Sequence, residues 1–584
     1  MREAVSAIFV YEDHSKNPVQ EYIYYIKRHH YLKVFPGYHA APGGKVDEED
    51  LEIIEFQKNL PFNFGGKNLQ LYHLKALCRE VKEECRFDLL EGFRQNIVKE
   101  ISELGVAITP DFNPYQFKST YFKITLNEKI DFSFDPEEIL FGEWKRPIDF
   151  LHAYDCGELL AVPPAINILQ YFAQSKESRS IEFQDFTNHF DLDMYVPYIQ
   201  PIGGLWQLLP LSHTFPPANR TNCFLVGDQY KLIVDPSPKD ENEYQKFLST
   251  IKKLCPEKIE GAIFLSHHHK DHYEFSNQLA RDLNLPIKMS QYTYEKIGAD
   301  YFLDCKVSIV QDGEELTTYL GEPLRALWLP GHDEGMLGLM PDSKKFLFLS
   351  DLIQTIGTVA ILRPEGNMQK YFNSMQAVIA MNPSFVFPSH GIGIGGVDKV
   401  AETYNHRLIR EKEIKSAYER HLSMDQMIEE IYPLLKSPLI PFAKKTIEAH
   451  LEKIIADRIA AHPVESIAVL KVTDLILGEG SVTKGAKIFI EHFGYFKNGT
   501  LFESTLAPHT ASTSANFLPK EYILSSQKLI QGFYQGMMGM GKGGVRRIEI
   551  PANLAYGERG LGTLIPPHSD LIFEVRLIDF QARV

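Results

Sequence analysis

Cysteine and long apolar runs are both scarce in this chain of 584 residues. The six cysteines are widely separated and form no CxxC pair, which argues against a disulfide framework and against a cysteine zinc site. No uninterrupted apolar run approaches the roughly 18 residues that a membrane span requires. The opening MREAVSAIFVYEDHSKN also lacks the features of a secretory signal. We therefore expect a cytoplasmic protein that has no membrane partner.

Positively charged residues are also fewer than negatively charged ones. Lysine and arginine total 61 against 76 aspartate and glutamate residues, which gives a formal net charge of -15. A general attraction to nucleic acid phosphates is therefore disfavoured. Because a typical domain has about 100 to 200 residues, the length predicts several domains. We expect their ranges to be 1–180, 181–400, 401–462 and 463–584.

A carboxylate-rich helix is predicted near residue 80. In HLKALCREVKEECRF, apolar residues recur at helical spacing, at Leu74, Leu77, Cys78, Val81 and Cys85. This spacing places Glu80, Glu83 and Glu84 together on the other face of the helix. Such a cluster of like charges is explained either by solvation or by a hard divalent cation such as Mg2+ or Mn2+.

A glycine loop, APGGKVDEED, precedes this helix, and its Gly43 and Gly44 allow a close approach of the backbone. The loop together with REVKEE resembles the Nudix box, and the insertion between them resembles the coenzyme A diphosphatase subgroup of Nudix hydrolases. The resemblance implies an α/β/α sandwich in which the three glutamates bind Mg2+ or Mn2+. It also implies that Gly43, Gly44 and Arg79 serve the substrate site, with Arg79 orienting the glutamates. The expected substrate is the pyrophosphate of a nucleoside diphosphate derivative or of acyl-coenzyme A.

Histidine and aspartate are concentrated in the segment GAIFLSHHHKDHYEF. After an apolar strand it presents His267, His269, Asp271 and His272, a density of metal-ligand side chains that a folded core does not require. Further candidates follow apolar segments downstream, namely His332, Asp351 and His390. Taken singly, each has an ordinary explanation, since Asp351, for example, could cap a helix. Together they predict a metal site.

The order and context of these ligands resemble the hydrolase branch of the metallo-β-lactamase superfamily. The resemblance implies an αββα sandwich with two Zn2+ ions. One ion would be held by His267, His269 and His332, the second by Asp271, His272 and His390, and Asp351 would bridge them. Asp271 would also be catalytic, because it would orient the water that attacks the substrate. Since such sites hydrolyse several ester types, the small-molecule substrate stays open between a thioester and a phosphodiester class.

A helical segment is predicted after residue 400. A long polar helix runs from about Val397 to His421, and the capping pattern Ser423 to Gln426 opens a helix with Met427, Ile428, Ile431 and Leu434 on its apolar face. Prolines at 438 and 441 interrupt the chain before a third helix. The segment resembles the small winged-helix tail of the β-lactamase-like protein 2 subfamily, which implies single-stranded RNA as a possible substrate.

Positive residues in this segment support that alternative only in part. A phosphate-contacting face could be formed by Lys436, Lys444, Lys445, Lys453 and Arg458. Acidic residues are interleaved with them, at Glu448, Glu452 and Asp457. An ordinary solvated face therefore stays open beside an RNA-binding one.

The last segment is rich in predicted strands and turns, including a hairpin at residues 497–499. Its motifs QKLIQGFYQGMMGMGKGG, IPANLAYGERG and LIPPHSDLIFEVRLIDF resemble FKBP-type peptidyl-prolyl isomerases. The resemblance implies an antiparallel half-barrel with one helix that binds proline-containing peptides and has Tyr556 as a catalytic residue. The substrate pocket would be formed by Phe502, Glu503, Leu529, Ile530, Phe533, Ile565 and Phe573. An apolar pocket of this kind favours the twisted amide and so lowers the ~20 kcal/mol barrier to rotation.

This segment departs from the family at two positions. His492 stands where the family usually has a pocket tyrosine, and Glu503 where it usually has aspartate. Both changes alter the polarity of the pocket. The aromatic residues could also serve only to fill the core of the half-barrel.

The sequence as a whole predicts a multi-domain α/β and α+β protein. Its expected function is metal-dependent hydrolysis at a dinuclear zinc centre, joined to a Nudix-like pyrophosphate hydrolase and a peptidyl-prolyl isomerase. Two alternatives stay open: a single-stranded RNA nuclease, and a binding or scaffold protein whose flanking domains are inactive.

Overall fold

The computed structural model of the protein describes every residue except 62–69, 111–115, 181, 363, 436, 462–466, 505–518 and 583–584. The described chain forms two compact units. The first comprises Met1–Leu329, Gly335–Val359 and Met375–Glu402, and the second comprises Pro330–Glu334, Ala360–Ser374 and Thr403–Val584. The domain boundaries proposed above, at residues 180, 400 and 462, stay predictions.

The N-terminal region of the first unit is built on one mixed sheet. Its strands are β1 (Arg2–Asp13), β2 (Gln20–Arg28), β3 (His39–Ala40), β4 (Gly43–Lys45), β5 (Val98–Ile108), β6 (Phe117–Leu126), β7 (Ile139–Lys145) and β8 (Gln184–Asp185). Its helices are α1 (Ile54–Asn59), α2 (Leu71–Cys85), α3 (Leu89–Arg94), α4 (Pro147–Asp155) and α5 (Pro163–Ala173). The order is β3-β2-β1-β6-β5-β8, with β4 on β1 and β7 on β2.

Strand β1 explains why this sheet is covered on both faces. Successive side chains of a strand point to opposite faces, and β1 is apolar at both sets of positions. Val5, Ala7 and Phe9 pack in one cluster with α2, whereas Ile8 and Val10 pack in another with α4 and α5. The region is therefore a three-layer α/β/α sandwich.

The central region contains two sheets. Its strands are β9 (Tyr198–Ile202), β10 (Leu205–Leu208), β11 (Cys223–Val226), β12 (Lys231–Val234), β13 (Gly261–Phe264), β14 (Ile287–Met289), β15 (Val307–Ile309), β16 (Glu315–Tyr319), β17 (Glu322–Trp328), β18 (Leu337–Pro341), β19 (Phe346–Ser350), β20 (Phe385–Pro388) and β21 (Ile394–Gly395). Its helices are α6 (Glu241–Leu254), α7 (Lys270–Tyr273), α8 (Ser276–Leu283), α9 (Gln291–Ile297) and α10 (Met368–Met381). One sheet runs from β15 down to β9, and the other runs from β16 to β21.

The two central sheets face each other across a buried core. Phe224 and Phe264 of one sheet pack with Phe346 and Phe348 of the other. The outer face of the first sheet packs against α6 through a second cluster that includes Phe247. Tyr38 and Leu160 of the N-terminal region also belong to the inter-sheet core. The N-terminal and central regions of the first unit are therefore packed as one body.

Three helices follow the central region: α11 (Asp398–Glu419), α12 (Met424–Ile431) and α13 (Ile440–Ala461). The predicted capping box at Ser423 and Gln426 is confirmed. Two details of the prediction are wrong. Leu434 lies beyond the end of α12 and is 95% exposed, so it is not part of the apolar face. Pro441 does not break the chain but lies in the first turn of α13, where a missing backbone N–H costs nothing.

The C-terminal region is an antiparallel sheet with one short helix. Its elements are β22 (Lys471–Ile476), β23 (Lys487–Phe496), β24 (Leu501–Ser504), β25 (Lys520–Ile523), α14 (Gln531–Met537), β26 (Val545–Ile550) and β27 (Leu571–Gln581). The sheet order is β22-β26-β27-β23-β24, with β25 also paired to β23. The predicted hairpin at residues 497–499 is confirmed, because it joins β23 to β24.

These sheets and helices confirm the predicted fold class of a multi-domain α/β and α+β protein. All six cysteines are free thiols. Within the described residues, no helix combines the length and the apolar character needed to cross a membrane.

Candidate metal centre and flanking sites

Several predicted ligands of the central region follow the carboxyl ends of strands that belong to the two central sheets. His267 follows β13, Asp351 follows β19 and His390 follows β20. His272 lies on the short helix α7. All four side chains are buried. Because strand ends converge at the edges of the two sheets, residues far apart in sequence meet at one place.

Each buried imidazole is oriented by a hydrogen bond at its Nδ1 atom. The Nδ1 atom of His272 lies 2.9 Å from Asp235, and that of His390 lies 3.0 Å from the carbonyl oxygen of Arg220. The Nδ1 atom of His267 is 3.0 Å from the hydroxyl of Ser266. The Nε2 atoms are thereby left for the interior of the site, which is the arrangement seen when a second layer of groups orients metal-binding histidines.

The inward-facing atoms lie close together. The Nε2 atom of His272 is 3.6 Å from Asp351, and that of His390 is 3.5 Å from Asp351 and 3.4 Å from Asp271. His267, His272 and Asp351 form one group whose ligand atoms all lie within 4.8 Å of one another, and Asp271, His272 and His390 form another. Among the described residues, the buried Nε2 atom of His272 has no hydrogen-bond partner. This donor set fits divalent cations.

The charges of the cluster are strongly coupled. Burial opposes ionisation of Asp271, but His272 and His390 outweigh it and lower the pKa of this carboxyl to about 2. Burial also opposes protonation of His390, but Asp351 and Asp271 raise its pKa to about 10. The pKa of Asp351 is held well below its usual range by the same two histidines, although burial acts against it. The site therefore keeps two carboxylates ionised and stabilises positive charge between them.

His269 and His332 complete the predicted set. The Nδ1 atom of His269 lies 3.0 Å from the Nε2 atom of His267, so both can face one ion. His332 follows β17 in the segment Pro330–Glu334 of the second unit. It is buried, and its Nδ1 atom lies 2.9 Å from the carbonyl oxygen of Ala360. The Nδ1 atom of His332 is therefore held like those of the other buried histidines.

Ser266 and Ser350 lie beside the candidate ligands, and the sequence did not single them out. Ser266 donates to Asp235 with an O–O distance of 2.6 Å, and Ser350 donates to Ser266 at 2.8 Å. Asp235 and Ser350 both have left-handed backbone, with φ of 50° and 51°, a conformation that costs energy for residues with a side chain. Only the position of Asp235 at the end of an apolar strand gave a signal in the sequence.

In the N-terminal region, Arg79 joins the acidic residues of α2 to the glycine loop. Its guanidinium donates to Glu80 at 2.8 Å, to Glu83 at 3.0 Å and to the buried Asp50 at 2.8 Å. It also donates to the carbonyl oxygen of Lys45 at 2.8 Å. Asp50 was missed in the sequence, where it is one of several acidic residues after the glycine loop.

The three glutamates of α2 differ in environment. Glu84 is buried and accepts a hydrogen bond of 2.8 Å from the backbone N–H of Gly43, whereas Glu83 is exposed. Burial raises the pKa of Glu84 to about 7. Burial also raises the pKa of Glu80. A buried carboxylate beside a second one is stabilised by a cation, so the residues present fit Mg2+ or Mn2+.

The structure predicts that an added methyl group affects stability differently at Gly43 and at Gly44. A Cβ atom on Gly43 would lie 2.1 Å from the backbone oxygen of Val5, whereas one on Gly44 would lie 2.3 Å from the flexible carboxylate of Glu80. We expect Gly43→Ala to lower the free energy of unfolding by ~2 kcal/mol or more, because backbone must move. Gly44→Ala should leave stability nearly unchanged. Chemical denaturation measures both, and equal effects would contradict the geometry.

In the C-terminal region, aromatic rings form the wall of the predicted peptide pocket. Phe573 packs edge-on against Phe533 and Phe502, with ring centroids 4.9 and 5.6 Å apart. Ile565 is buried in the same cluster, and Leu529, Ile530 and Tyr556 pack at its margin. Ile530 immediately precedes α14. The predicted residues are thus brought together around one apolar centre.

A charged group lies beside these rings. Glu503 is 3.5 Å from the Nε2 atom of His492 and 3.0 Å from the ammonium of Lys520. His492 is buried, with its ring 5.9 Å from Phe533 and 5.8 Å from Phe573. Lys520 was missed in the sequence, because nothing local distinguishes it from other surface lysines.

This group predicts a pH dependence of stability. His492 and Lys520 lower the pKa of Glu503 to about 2. A carboxyl with a lowered folded-state pKa contributes stability above its unfolded pKa of about 4.5 and loses it as the pH falls toward the folded value. We therefore expect the difference in unfolding free energy between wild type and Glu503→Gln to shrink from pH 5 to pH 3. Denaturation series at fixed pH values measure it, and a constant difference would contradict the ion pair.

The positive residues of the helical segment are mostly engaged within the protein. The ammonium of Lys444 is 2.7 Å from Asp425, and that of Lys453 is 2.9 Å from Glu411. Arg458 donates to the buried Glu574 at 2.5 Å. Lys436 lies outside the described residues. Cations held in such pairs are poorly placed to contact RNA phosphates.

Two family models match parts of the chain. Residues 478–578 match the FKBP-type peptidyl-prolyl cis-trans isomerase family, and residues 216–390 match the metallo-beta-lactamase superfamily. An FK506-binding protein of Neisseria meningitidis serogroup A is 38% identical over 110 residues, which cover 19% of this chain and 94% of that protein.

Two solved structures are also similar. A beta-lactamase domain protein from Burkholderia ambifaria is 18% identical and covers 47% of this chain and 95% of its own, with a TM-score of 0.40. A NUDIX hydrolase from Alicyclobacillus acidocaldarius is 19% identical and covers 31% of this chain and 98% of its own, with a TM-score of 0.26.

The protein therefore contains a domain of an isomerase family, together with a region similar to a superfamily of hydrolases. Through its C-terminal part the chain belongs to the FKBP-type peptidyl-prolyl cis-trans isomerase family, and its central part is similar to the metallo-beta-lactamase superfamily over residues 216–390. The predicted resemblance to FKBP-type isomerases is confirmed, the predicted resemblance to the metallo-beta-lactamase superfamily is supported by the family model, and a Nudix hydrolase is among the similar solved structures.

Proposed function

We propose that the protein is a metal-dependent hydrolase whose reaction takes place at the central histidine and aspartate cluster. The observation that supports this most strongly is the orientation of the buried imidazoles. His267, His272 and His390 all direct Nε2 atoms toward Asp351 or its neighbours, while their Nδ1 atoms are held from outside. A purely structural core has no need of such an arrangement.

The proposed ligands follow from the family resemblance. His267, His269 and His332 would hold one Zn2+ ion, and Asp271, His272 and His390 a second, with Asp351 between them. When bound, such ions polarise the group under attack and lower the pKa of water toward neutrality. The low pKa of Asp271 keeps it ionised, so that it could accept a hydrogen bond from an attacking water and orient it.

The substrate that we propose is a small molecule with a thioester or a phosphodiester. The N-terminal site would act on a related compound, because its sequence resembles the coenzyme A diphosphatase subgroup of Nudix hydrolases. Glu80, Glu83 and Glu84 would bind Mg2+ or Mn2+ beside the pyrophosphate. A single compound that carries both groups is acyl-coenzyme A. The proposal is that the two domains act on the diphosphate and on the thioester of such a molecule.

A substrate panel tests this proposal. The full chain would be assayed with an acyl-coenzyme A, a bis-aryl phosphodiester, a nucleoside diphosphate derivative and a short single-stranded RNA, before and after treatment with a zinc chelator. We expect thioester or phosphodiester hydrolysis that is lost with chelator and restored by Zn2+. Hydrolysis that is unchanged by the chelator would refute the metal-dependent mechanism, and chelator-sensitive cutting of RNA alone would favour the nuclease.

For the C-terminal domain we propose isomerisation of proline-containing peptides. The aromatic cluster around Phe573 supplies an apolar surface for the proline ring, and Tyr556 at its margin can donate to a peptide carbonyl. Burial raises the pKa of Tyr556, so its hydroxyl stays protonated at neutral pH. No nucleophile is needed, because the reaction is a rotation about the peptide bond that precedes proline.

A further inference from the structure

The sheet of the C-terminal domain has two faces with different partners. Phe573 of β27 points toward the peptide pocket, where it packs against Phe502 and Phe533. The next residue, Glu574, points to the opposite face because side chains alternate along a strand. There it is buried and meets the preceding helical segment, residues 403–461, which we call the tail.

Glu574 is the centre of a polar network between the sheet and the tail. Arg458 of α13 donates to it at 2.5 Å, and Tyr495 of β23 donates to it at 2.7 Å. The hydroxyl of Tyr418, on α11, also donates to it. Burial opposes ionisation of Glu574, but Arg458 and the two tyrosines outweigh it and lower the pKa of the carboxyl. The network therefore joins two helices of the tail to the strand that carries Phe573.

A second buried contact reaches the other pocket strand. Ser504 donates to Glu448 of α13 with an O–O distance of 3.1 Å. Ser504 immediately follows Phe502 and Glu503 on β24. Glu448 is 1% exposed. Burying a carboxylate costs desolvation free energy, and a specific interaction such as the hydrogen bond from Ser504 is needed to offset it.

Apolar packing closes the same interface. Ile455 of α13 lies in one buried cluster with Tyr495, Leu501 and Ile572 of the sheet. The hairpin before β24 approaches α13 so closely that a Cβ atom on Gly499 would lie 2.4 Å from the backbone of Ala456. The outer face of the sheet is therefore covered by the tail over much of the length of α13.

We infer that the tail is a docking platform for the isomerase domain, and that Glu448 and Arg458 are positioning residues for its peptide pocket. This inference rests on the proposed isomerase function. Strand β24 has four residues and, in the sheet order, lies at an edge with β23 as its neighbour. Short edge strands open easily, so an anchor from Glu448 decides how firmly Phe502 and Glu503 are held.

Docking of the tail to the isomerase domain also accounts for positively charged side chains of the tail that are paired within the protein and so cannot easily bind phosphates. Arg458 has the buried carboxylate of Glu574 as its partner, 116 positions further along the chain. Lys444 and Lys453 are paired within the tail itself. A helical appendage that in a related subfamily would serve RNA is here used to hold the isomerase domain.

The test measures isomerisation of an Ala-Leu-Pro-Phe peptide by the full chain. Glu448→Ala and Ser504→Ala should each lower kcat/KM about tenfold, mainly through KM, because each removes the same buried hydrogen bond. The effects of the two changes should be less than additive in the double variant, since both remove the hydrogen bond between Ser504 and Glu448. Glu448→Gln, which can still accept from Ser504, should stay within about twofold of wild type.

Arg420→Ala is the matched control, because Arg420 forms an exposed ion pair with Glu430 within the tail. It should leave kcat/KM unchanged. If Glu448→Ala fails to fold, the comparison of kcat/KM between Ser504→Ala and Glu448→Gln still tests the positioning role. If the wild type is active and Ser504→Ala has the same kcat/KM, the positioning role is wrong but the isomerase function is unaffected. Absence of activity in the wild type would instead overturn the isomerase proposal, and the inference with it.

Discussion

Asp351→Asn is expected to lower the metal-dependent hydrolysis of a thioester or phosphodiester about a thousandfold in kcat/KM, or ~4 kcal/mol in activation free energy. Asp351 lies between His272 and His390, at 3.6 and 3.5 Å from their Nε2 atoms. Asparagine keeps the size of the side chain but removes the charge that would stabilise two cations. The fold should survive, because the second layer around the histidines does not depend on this residue.

The control for this variant is Asp342→Asn. Asp342 forms an exposed ion pair with Arg325 in the same unit, so its replacement removes one carboxylate without touching the cluster. We expect wild-type activity for it. Steady-state kinetics and metal content would be measured for both proteins. If Asp351→Asn kept both its activity and its metal, the bridging role would be wrong.

Glu84→Gln is expected to lower pyrophosphate hydrolysis by the N-terminal domain about a hundredfold. Glutamine can still accept the hydrogen bond from the backbone N–H of Gly43, which now measures 2.8 Å. The loop should therefore keep its place while the site loses a negative charge that would bind Mg2+ or Mn2+. Release of phosphate-containing products from a nucleoside diphosphate derivative measures the effect.

Glu91→Gln is a matched control for that experiment. Glu91 lies on α3 and forms an exposed ion pair with Arg94. It should show the activity of the wild type. Equal activity of Glu84→Gln and wild type would place the reaction elsewhere, and absence of activity in the wild type would support a binding role for this domain.

Local motifs account for most of what was predictable. The segment from His267 to His272 holds its candidate ligands within a few positions, and the later candidates each follow an apolar strand. Their meeting at one place requires the strand ends of two different sheets to lie together, which the sequence pattern alone does not show. The sequence did not reveal which atoms face inward, because that depends on Ser266, Arg220 and other groups of the second layer.

The glutamates of α2 show where helical spacing reaches its limit. The pattern places Glu80, Glu83 and Glu84 on one face, but it does not say what covers that face. In the structure Glu84 is buried against the glycine loop and Glu83 is exposed. Burial is set by β4, which is distant in the sequence and pairs with β1.

The tail was the least predictable part. Its helices follow from periodicity and capping, but the partner of Arg458 is Glu574, in a strand of another domain. A pattern of lysine, arginine and glutamate along one helix is the same whether the charges face water, RNA or a protein surface. Only the fold distinguishes these cases.

The measurement that tests the central claim most directly is the zinc content of the purified full chain, compared with Asp271→Ala. We predict about two zinc ions per wild-type chain and fewer in the variant, since Asp271 lies 3.4 Å from His390 within the proposed second set of ligands. A wild-type chain that holds no zinc after purification, and binds none when zinc is supplied, would contradict the metallohydrolase account.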